Sequence, residues 1–405
     1  MTKQGLPSLA AAAPETPRLR LLAGIREVPA ATWDALVGAD APPFLRHAWL
    51  LALEESGSAS SETGWEPMHH TLWRGEQLVA AAPAYRKFHS MGEYIYDFGW
   101  AGAASRLGIE YYPKLLVGVP LSPATAPRLL VAAGEDVPAL QDALAQALRA
   151  SAEEEGLSGL HVIFPPEAEA ARLEAHGLAR RLTLQYHWRN PGYATYADYL
   201  SRFDSKRRAQ LKRERAAAGF QGITIRTVKG EELTAAHARL AYDFYESTNE
   251  KHSWGQIQLN RDFFLRVFRT MRDAVELVVA EREGRVIAGA FNVASRTRLY
   301  GRYWGALEEH PFLHFNVCLY HSVDECIQQG REAFEPGAGG EHKISRGFLP
   351  TGIHSAHLIH DRRLDNAVRA SLIHEREHLQ RAVDEAEEIA GMKPWPLAPA
   401  GNAKK

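Results

Sequence analysis

The sequence has only two cysteines, Cys318 and Cys326, among its 405 residues. If they share a helix, they lie about 12 Å apart along its axis, which is too far for a disulfide bond. We therefore expect no disulfide framework of the kind that stabilises small secreted proteins. A reducing, cytoplasmic location is the prediction that follows.

The sequence also lacks a long apolar segment and an excess of one charge. No run approaches the roughly 20 apolar residues that a transmembrane helix needs, so we expect no membrane span. The 47 basic and 49 acidic residues nearly balance, with a net charge of -2. A nucleic acid or an anionic membrane would therefore have to bind a local basic patch. Residues 1–17, where an alanine run precedes two prolines, predict a disordered lead-in instead of a signal peptide.

The motifs of several enzyme classes are missing as well. No serine lies in a Gly-x-Ser-x-Gly elbow and neither cysteine lies in a catalytic motif, so nothing supports a covalent nucleophile. There is no Walker lysine and no dinucleotide fingerprint. The histidines of HSAHLIH, at 354, 357 and 360, drift by about 60° per step around a helix and have no cysteine or carboxylate at ligand spacing. We expect no metal, and the remaining chemistry is positioning and proton transfer.

One order of elements occurs twice in the chain, which favours an internal duplication. The repeated elements are an amphipathic helix (44–56 and 263–275), a hairpin (72–88 and 278–295), an aromatic strand (96–103 and 300–307) and a helix that leads into a short strand (140–166 and 314–338). The aromatic strands read YDFGWAGA and YGRYWGAL, with Trp100 and Trp304 as counterparts. Chance similarity is the alternative, because few residues are identical.

The repeat predicts an α/β fold (α+β mixed sheets) with two similar domains, at 18–190 and 191–362. Asn190-Pro191-Gly192 marks the turn between them. An insertion at 111–131, rich in proline and β-formers, is interpreted as an extra strand and a loop that reaches the other half. An apolar stripe predicts a docked C-terminal helix at 363–392, and 393–405 read as a flexible tail.

The segment EPGAGGEHKISRGFLP, at 335–350, carries many charges on a glycine-rich backbone. The glycines let the chain approach a ligand closely. Glu341 or His342 could accept a proton from an attacking amine, and Lys343 and Arg346 could hold an anionic group. A surface loop with an ion pair is the alternative interpretation.

Two further polar segments are candidate binding surfaces. The first half mixes aromatic and charged residues along a predicted cleft wall, although tyrosines also serve in a core; its candidates are Glu93, Tyr94, Asp97, Tyr112 and Lys114. The run SKRRAQLKRER, at 205–215, is a basic helix with Glu214 as its only acid. It is either a solvated helix face or a phosphate grip, in which Lys206, Arg207, Lys212 and Arg213 would contact phosphates.

The motifs PFLRHAWLLALEESG, HSMGEYIYDFGWA, HWRN, YGRYWG, LHFNVC and EPGAGGEHKISRGF, spread from Ile25 to His360, resemble those of the FemAB-like N-acyltransferases. This bacterial branch of the GNAT superfamily is associated with peptidoglycan biosynthesis. The resemblance implies two tandem GNAT-like folds and the direct transfer of an acyl or aminoacyl group to an amine. A backbone amide on a splayed strand, here LYGRYWGAL, would bind the carbonyl oxygen.

The resemblance also implies roles for particular residues. Glu341 or His342 would accept the proton and Tyr303 would protonate the leaving group. The binding residues would be Arg302, Trp304, His314, Asn316, Lys343 and Arg346. The glycine loop that holds coenzyme A pyrophosphate in acetyltransferases is missing from GALEEHPFLHFN, so either an acyl-CoA or an aminoacyl-tRNA is the expected donor.

The expected acceptor is the amine of a small molecule or a cell-wall precursor, and tRNA is a possible partner through the basic helix. Two alternatives stay open at this point. One is a degenerate, non-catalytic GNAT pair that binds a nucleotide-linked or tRNA ligand. The other is a sequence-independent nucleic-acid binder that uses only residues 205–215.

Overall fold

The computed structural model describes residues 16–250 and 257–393. The strands are β1 (Arg18–Leu22), β2 (Trp65–Pro67), β3 (His69–Arg74), β4 (Gln77–Ala82), β5 (Ala84–Lys87), β6 (Lys114–Val117), β7 (Leu130–Val131), β8 (Gly159–Ile163), β9 (Ala179–Arg189), β10 (Ile223–Lys229), β11 (Val275–Arg282), β12 (Arg285–Ala294), β13 (Arg298–Ala306), β14 (Ala333–Glu335) and β15 (Leu349–Ile359). The predicted lead-in and tail lie almost entirely outside the described residues.

The α-helices are α1 (Ala30–Asp34), α2 (His47–Glu55), α3 (Phe98–Arg106), α4 (Val137–Glu154), α5 (Glu167–Ala175), α6 (Tyr196–Ser201), α7 (Ser205–Phe220), α8 (Ala235–Glu250), α9 (Arg261–Thr270), α10 (Leu313–Phe315), α11 (His321–Gln328) and α12 (Arg362–Ala390). A π-helical segment, Asn316–Tyr320, joins α10 to α11. Short 3-10 helices span Ile25–Glu27, Pro43–Leu45, Gly230–Glu232 and Glu341–Arg346. Within the described ranges, no helix is long and apolar enough to cross a bilayer.

An eleven-stranded mixed sheet organises the fold, in the order β10-β11-β12-β13-β14-β9-β15-β8-β6-β5-β2. A separate four-stranded sheet has the order β1-β3-β4-β7. The β11–β12 hairpin shows how the local sequence determines one pair of strands. Two apolar runs flank Glu283 and Gly284, which both have positive φ, as the twist of a tight hairpin requires. The predicted α/β class with mixed sheets is confirmed.

The last strand of each half lies beside the other half. β15 pairs antiparallel with β9 from Leu349↔His187 to His357↔Ala179, and its other edge pairs with β8. β9 in turn pairs with β14. The two halves therefore share one hydrogen-bonded sheet, and the division between residues 190 and 191 stays a prediction.

The helices cover the sheets with the apolar stripes that the sequence predicts. In α12, Leu364, Val368 and Leu372 recur every four residues and are buried against Ile359 at the end of β15. The predicted amphipathic helices, hairpins and C-terminal helix are all present. The insertion at 111–131 contains β6 and β7, and its loop contacts the second half through the carbonyl of Leu121.

The predicted aromatic strand at 96–103 is wrong, because Phe98–Arg106 form helix α3. The segment Ala101-Gly102-Ala103-Ala104 offers small residues with little preference for a strand, and alanine favours a helix. Trp100 packs edge-on against His357, with 4.8 Å between ring centroids. Trp100 and Trp304 are therefore not structural counterparts, whereas the strand at 300–307 is present as part of β13.

A buried histidine pair joins β15, the last strand of the second half, to β8 of the first half. The Nδ1 atoms of His161 and His357 are 2.8 Å apart, and His357 Nε2 lies 2.8 Å from Ser355 Oγ. Burial lowers the pKa of His161 to about 3 and that of His357 well below its usual range. Both rings are therefore neutral at pH 7, and one shares its proton with the other.

This pair predicts acid sensitivity. An unfolded histidine has a pKa of about 6.5. Below that pH the unfolded chain binds a proton at His161, whereas the folded protein leaves His161 unprotonated because burial has lowered its pKa. The free energy of unfolding should therefore fall as the pH falls from about 6.5 towards 3. In urea unfolding at pH 7 and pH 5, His161→Asn should reduce this slope by up to about 1.4 kcal/mol per pH unit. The exposed His374→Asn is the control, and an unchanged slope in His161→Asn would contradict the prediction.

Candidate active site

β13 and β14 separate soon after they meet, and the opening is the centre of the candidate site. They pair in parallel only at Arg298↔Ala333, Leu299↔Phe334 and Tyr300↔Glu335. On the other edge of β13, Phe291 pairs with Tyr303 and Asn292 with Gly301, so Arg302 is the extra residue of a β-bulge. From Gly301 onwards, no described strand pairs with this edge of β13, and residues 301–304 line a cavity.

This first cavity has a volume of about 240 Å³. Its walls are formed by residues 301–304 of β13, the helical residues His314 and Cys318, and the loop from Pro336 to Lys343. The loop turns sharply at Gly340, where φ is +95° and a Cβ atom would lie 2.8 Å from His342. Glycine is therefore needed at this position to bring His342 and Lys343 to the cavity.

Two neutral histidines lie at the cavity wall. The rings of His314 and His342 are 5.7 Å apart. Burial and the neighbouring cations lower the pKa of His314 to about 4. Partial burial, followed by the charges of Lys343 and Arg346, lowers the pKa of His342 below its usual range. At pH 7 His342 is therefore an unprotonated base that can accept a proton.

Lys343 is a buried cation of the same wall. Its ammonium donates to the carbonyl oxygens of Gly337, at 3.0 Å, and Pro336, at 3.3 Å. Burial lowers its pKa to about 8. No carboxylate among the described side chains pairs with the ammonium, so nothing there raises the pKa again. The backbone of Glu341 begins the adjacent 3-10 helix, and its side chain lies outside the described part of the structure.

Arg346 braces the site from behind. Its Nη2 lies 2.7 Å from Glu214 Oε2, its Nε donates to the hydroxyl of Tyr320 at 2.8 Å, and its Nη1 donates to the carbonyl of His342 at 2.7 Å. The guanidinium therefore joins α7, the π-helical segment and the 3-10 helix. This position gives Arg346 a structural role, and its contact with an anionic group stays a prediction.

Asn316, a predicted binding residue, makes internal contacts, and its binding role stays a prediction. Its side-chain amide is buried and donates to the carbonyl oxygens of Glu214, at 2.8 Å, and Phe312, at 3.0 Å. It occupies the face of the helix that contacts α7, whereas His314 and Cys318 occupy the face that lines the cavity. The predicted phosphate contacts Lys206, Arg207, Lys212 and Arg213 lie on α7, outside the cavity walls.

A second cavity, of about 660 Å³, lies between the two halves. The first half contributes Tyr94, Tyr96 and Phe98, and the second half contributes Tyr245. Residues 302–304 line both cavities, so the two spaces meet at the bulge of β13. Tyr245 was not predicted from the sequence, because a tyrosine in an amphipathic helix has the pattern of a core residue.

Tyr303 lies where the two cavities meet, and its role as a proton donor stays a prediction. Its hydroxyl faces the carbonyl of Leu121 at 3.4 Å, and its ring packs on Tyr245 with 4.7 Å between centroids. Burial raises its pKa well above the usual range, so the hydroxyl keeps its proton at neutral pH. Arg302, beside it, donates to the carbonyl of Leu121 and so ties the two halves together.

The polar and aromatic residues predicted in the first half take two positions: one lines the second cavity, and the others form a buried network behind it. Tyr94 lines the second cavity, whereas Glu93 and Asp97 turn inward to the buried ammonium of Lys114, at 3.0 and 2.5 Å. Burial would raise the pKa of Asp97, but Lys114 lowers it to about 2. Tyr112 hydrogen-bonds Ser90 at 2.7 Å on the edge of this network. Among the described residues, no group of three or more His, Cys, Asp or Glu could hold a metal.

Comparisons with known proteins agree with this architecture. The family model FemAB-like, described as peptidoglycan biosynthesis/recognition, matches residues 24–394. No curated protein sequence matches the chain significantly. The crystal structure of FemX superposes with a TM-score of 0.54 at 11% identity, covering 84% of this chain and 98% of FemX. A tandem GNAT protein from the clavulanic acid pathway gives 0.41 at 13% identity, covering 85% and 98%. At this identity, the likeness to FemX supports the fold alone.

The brace predicts a large stability effect. Arg346→Met would leave Glu214 buried without its partner, since the two side chains are only 8% and 5% exposed. Urea unfolding should show a loss of about 3–5 kcal/mol, and Arg346→Met with Glu214→Leu should lose much less, because neither charge then remains unpaired.

The exposed pair of Arg296 and Asp40 supplies the matched control. Arg296→Met should cost about 1 kcal/mol or less. An equal cost for Arg346→Met and Arg296→Met would rule out the bracing role.

Proposed function

The chain belongs to the FemAB-like family of peptidoglycan biosynthesis/recognition, and from this premise we propose that it transfers an acyl or aminoacyl group to an amine. The observation that carries the proposal is the meeting of two cavities at the bulged residues 302–304, beside the neutral base His342. The acceptor is proposed to be the amine of a cell-wall precursor or of a small molecule.

In the proposed reaction the activated carbonyl lies in the first cavity and the amine enters from the second. A backbone N–H on the unpaired edge of β13 would stabilise the oxyanion that forms. The amine nitrogen forms the new C–N bond while the C–S or C–O bond of the donor breaks. His342 accepts the proton lost by the amine, and Tyr303 donates a proton to the leaving sulfur or oxygen. No covalent enzyme intermediate is involved.

The donor is proposed to be an acyl-CoA or an aminoacyl-tRNA. His314 and Trp304 would flank it, and the ammonium of Lys343 would face its anionic part. The chain before α10 carries Glu308, within 3.6 Å of Arg285, and no glycine loop. A carboxylate in this position favours a donor whose phosphates bind elsewhere than at the start of this helix.

Radiolabelled donors test the activity. The protein would be incubated with acetyl-CoA, a long-chain acyl-CoA or aminoacyl-tRNA together with amine acceptors that include a soluble muropeptide precursor. Acid-stable transfer of label to the acceptor would support the proposal. Donor binding in a thermal-shift titration without any transfer would instead support a non-catalytic pair of GNAT-like halves.

His342→Ala should reduce kcat/KM by about 10²–10⁴-fold, because the base that takes the amine proton is removed. Its melting temperature should stay nearly unchanged, since the His342 side chain is only partly buried. In the unmodified protein kcat/KM should fall with pH once the pH is below the lowered pKa of His342. The exposed His374→Ala is the control. A large loss of stability with unchanged turnover would overturn the assignment of His342.

A further inference from the structure

The outward face of α7 is basic and unpaired. Lys206, Lys212 and Arg213 are exposed and lie on one side of the helix, where Arg213 follows Lys206 after seven residues, about two turns. None of the three forms an ion pair within the described ranges, whereas Arg215 of the same helix pairs with Asp324. The other residues of this face, at 209, 216 and 219, are alanine or glycine, so a flat surface could approach the helix closely.

The acids on and beside this helix offset few of its cations: Asp204 caps its N-terminus next to Lys206. Glu214 is the only carboxylate within α7, and it is turned inward and held by Arg346. The arrangement therefore concentrates positive charge on one face of a chain whose net charge is -2. Such a patch attracts anionic surfaces at short range.

This face points away from the proposed reaction site. Glu214, on the inner side of α7, contacts Asn316 and Tyr320, which lie on the face of the π-helical segment opposite to the cavity-lining His314. One helix therefore separates the α7 cations from the first cavity, and helices pack about 8–10 Å apart. A group seated in that cavity does not account for them.

Exposed apolar side chains continue the basic face at its C-terminal end. Phe220, the last residue of α7, is 89% exposed. Gln221 donates to the carbonyl of Pro311 at 3.2 Å, which brings the end of α7 next to the chain that carries Leu307, 55% exposed, and Phe312, 44% exposed. Large apolar side chains are rarely grouped on a surface that contacts only water.

We propose that this face, formed by Lys206, Lys212, Arg213 and Phe220 with Leu307 and Phe312 at its end, docks the protein on an anionic phospholipid bilayer. The cations would lie among the headgroup phosphates and the apolar side chains would enter the interface, as in other surface-bound basic helices. The distance from Lys206 to Phe220, about 21 Å along the helix, suits a helix that lies parallel to the membrane.

A phospholipid surface explains more of this face than a nucleic acid does. RNA phosphates would satisfy the three cations, but they would leave the apolar side chains of Leu307 and Phe312 exposed to water. A bilayer accommodates charge and apolar groups side by side. The proposal concerns attachment to a surface and is independent of the transfer reaction.

Vesicle co-sedimentation of the full-length protein tests the proposal. The protein should sediment with phosphatidylcholine vesicles that contain one third phosphatidylglycerol and should stay in solution with pure phosphatidylcholine. Lys212→Glu combined with Arg213→Glu should weaken binding at least about tenfold, and Phe220→Ser about threefold or more, because each removes one part of the attraction.

Arg239→Glu combined with Arg269→Glu, on α8 and α9, is the matched control: both arginines are exposed and the net charge changes equally. It should bind as the unmodified protein does, and circular dichroism would verify that all variants are folded. Equal loss in the control, no binding to anionic vesicles, or binding of bulk tRNA that requires the same residues without vesicle binding would each overturn the proposal.

Discussion

The pairing of β9 with β15 is the constraint on which the rest of the structure depends. It places the last strand of each half beside the other half and closes eleven strands into one sheet. β14, only three residues long, is held on one edge by β13 and on the other by β9. Because β9 fixes β14 in place, β14 cannot follow β13 beyond Tyr300, and the opening that becomes the first cavity is imposed by the exchange.

The polar residues around this opening form two groups. One group makes internal ion pairs that hold the fold, and the other can contact a ligand. Arg346 and Glu214 satisfy each other, and Lys114 satisfies Glu93 and Asp97. These closed sets position the 3-10 helix and the aromatic wall of the second cavity. His342 and Lys343 lack such carboxylate partners among the described side chains, so their environment lowers their pKa values and leaves them able to interact with a ligand.

Local patterns allowed much of the fold to be predicted, because the amphipathic helices and hairpins are encoded by short-range periodicity. The segment at 96–103 shows the limit: its aromatic residues suggested a strand, whereas its run of small residues forms α3. The pairing of β9 with β15 could not be predicted, since the apolar pattern of each strand is compatible with more than one neighbouring strand. At the site, composition made His342 and Lys343 candidates and the family resemblance added Tyr303, but the contacts of Arg346 and Asn316 with distant partners in α7 could not be predicted from local sequence.

The exchanged strands also set an order on the synthesis of the protein. When the ribosome has completed β8 and β9, at Arg189, their future neighbour β15 is still about 160 residues from being made, because it begins at Leu349. The nascent first half therefore has unpaired strand edges until β15 is synthesised, and such edges are prone to associate with other chains. Its sheet becomes complete only when the C-terminal segment arrives, so the full chain folds as one unit even though its two halves have similar architecture.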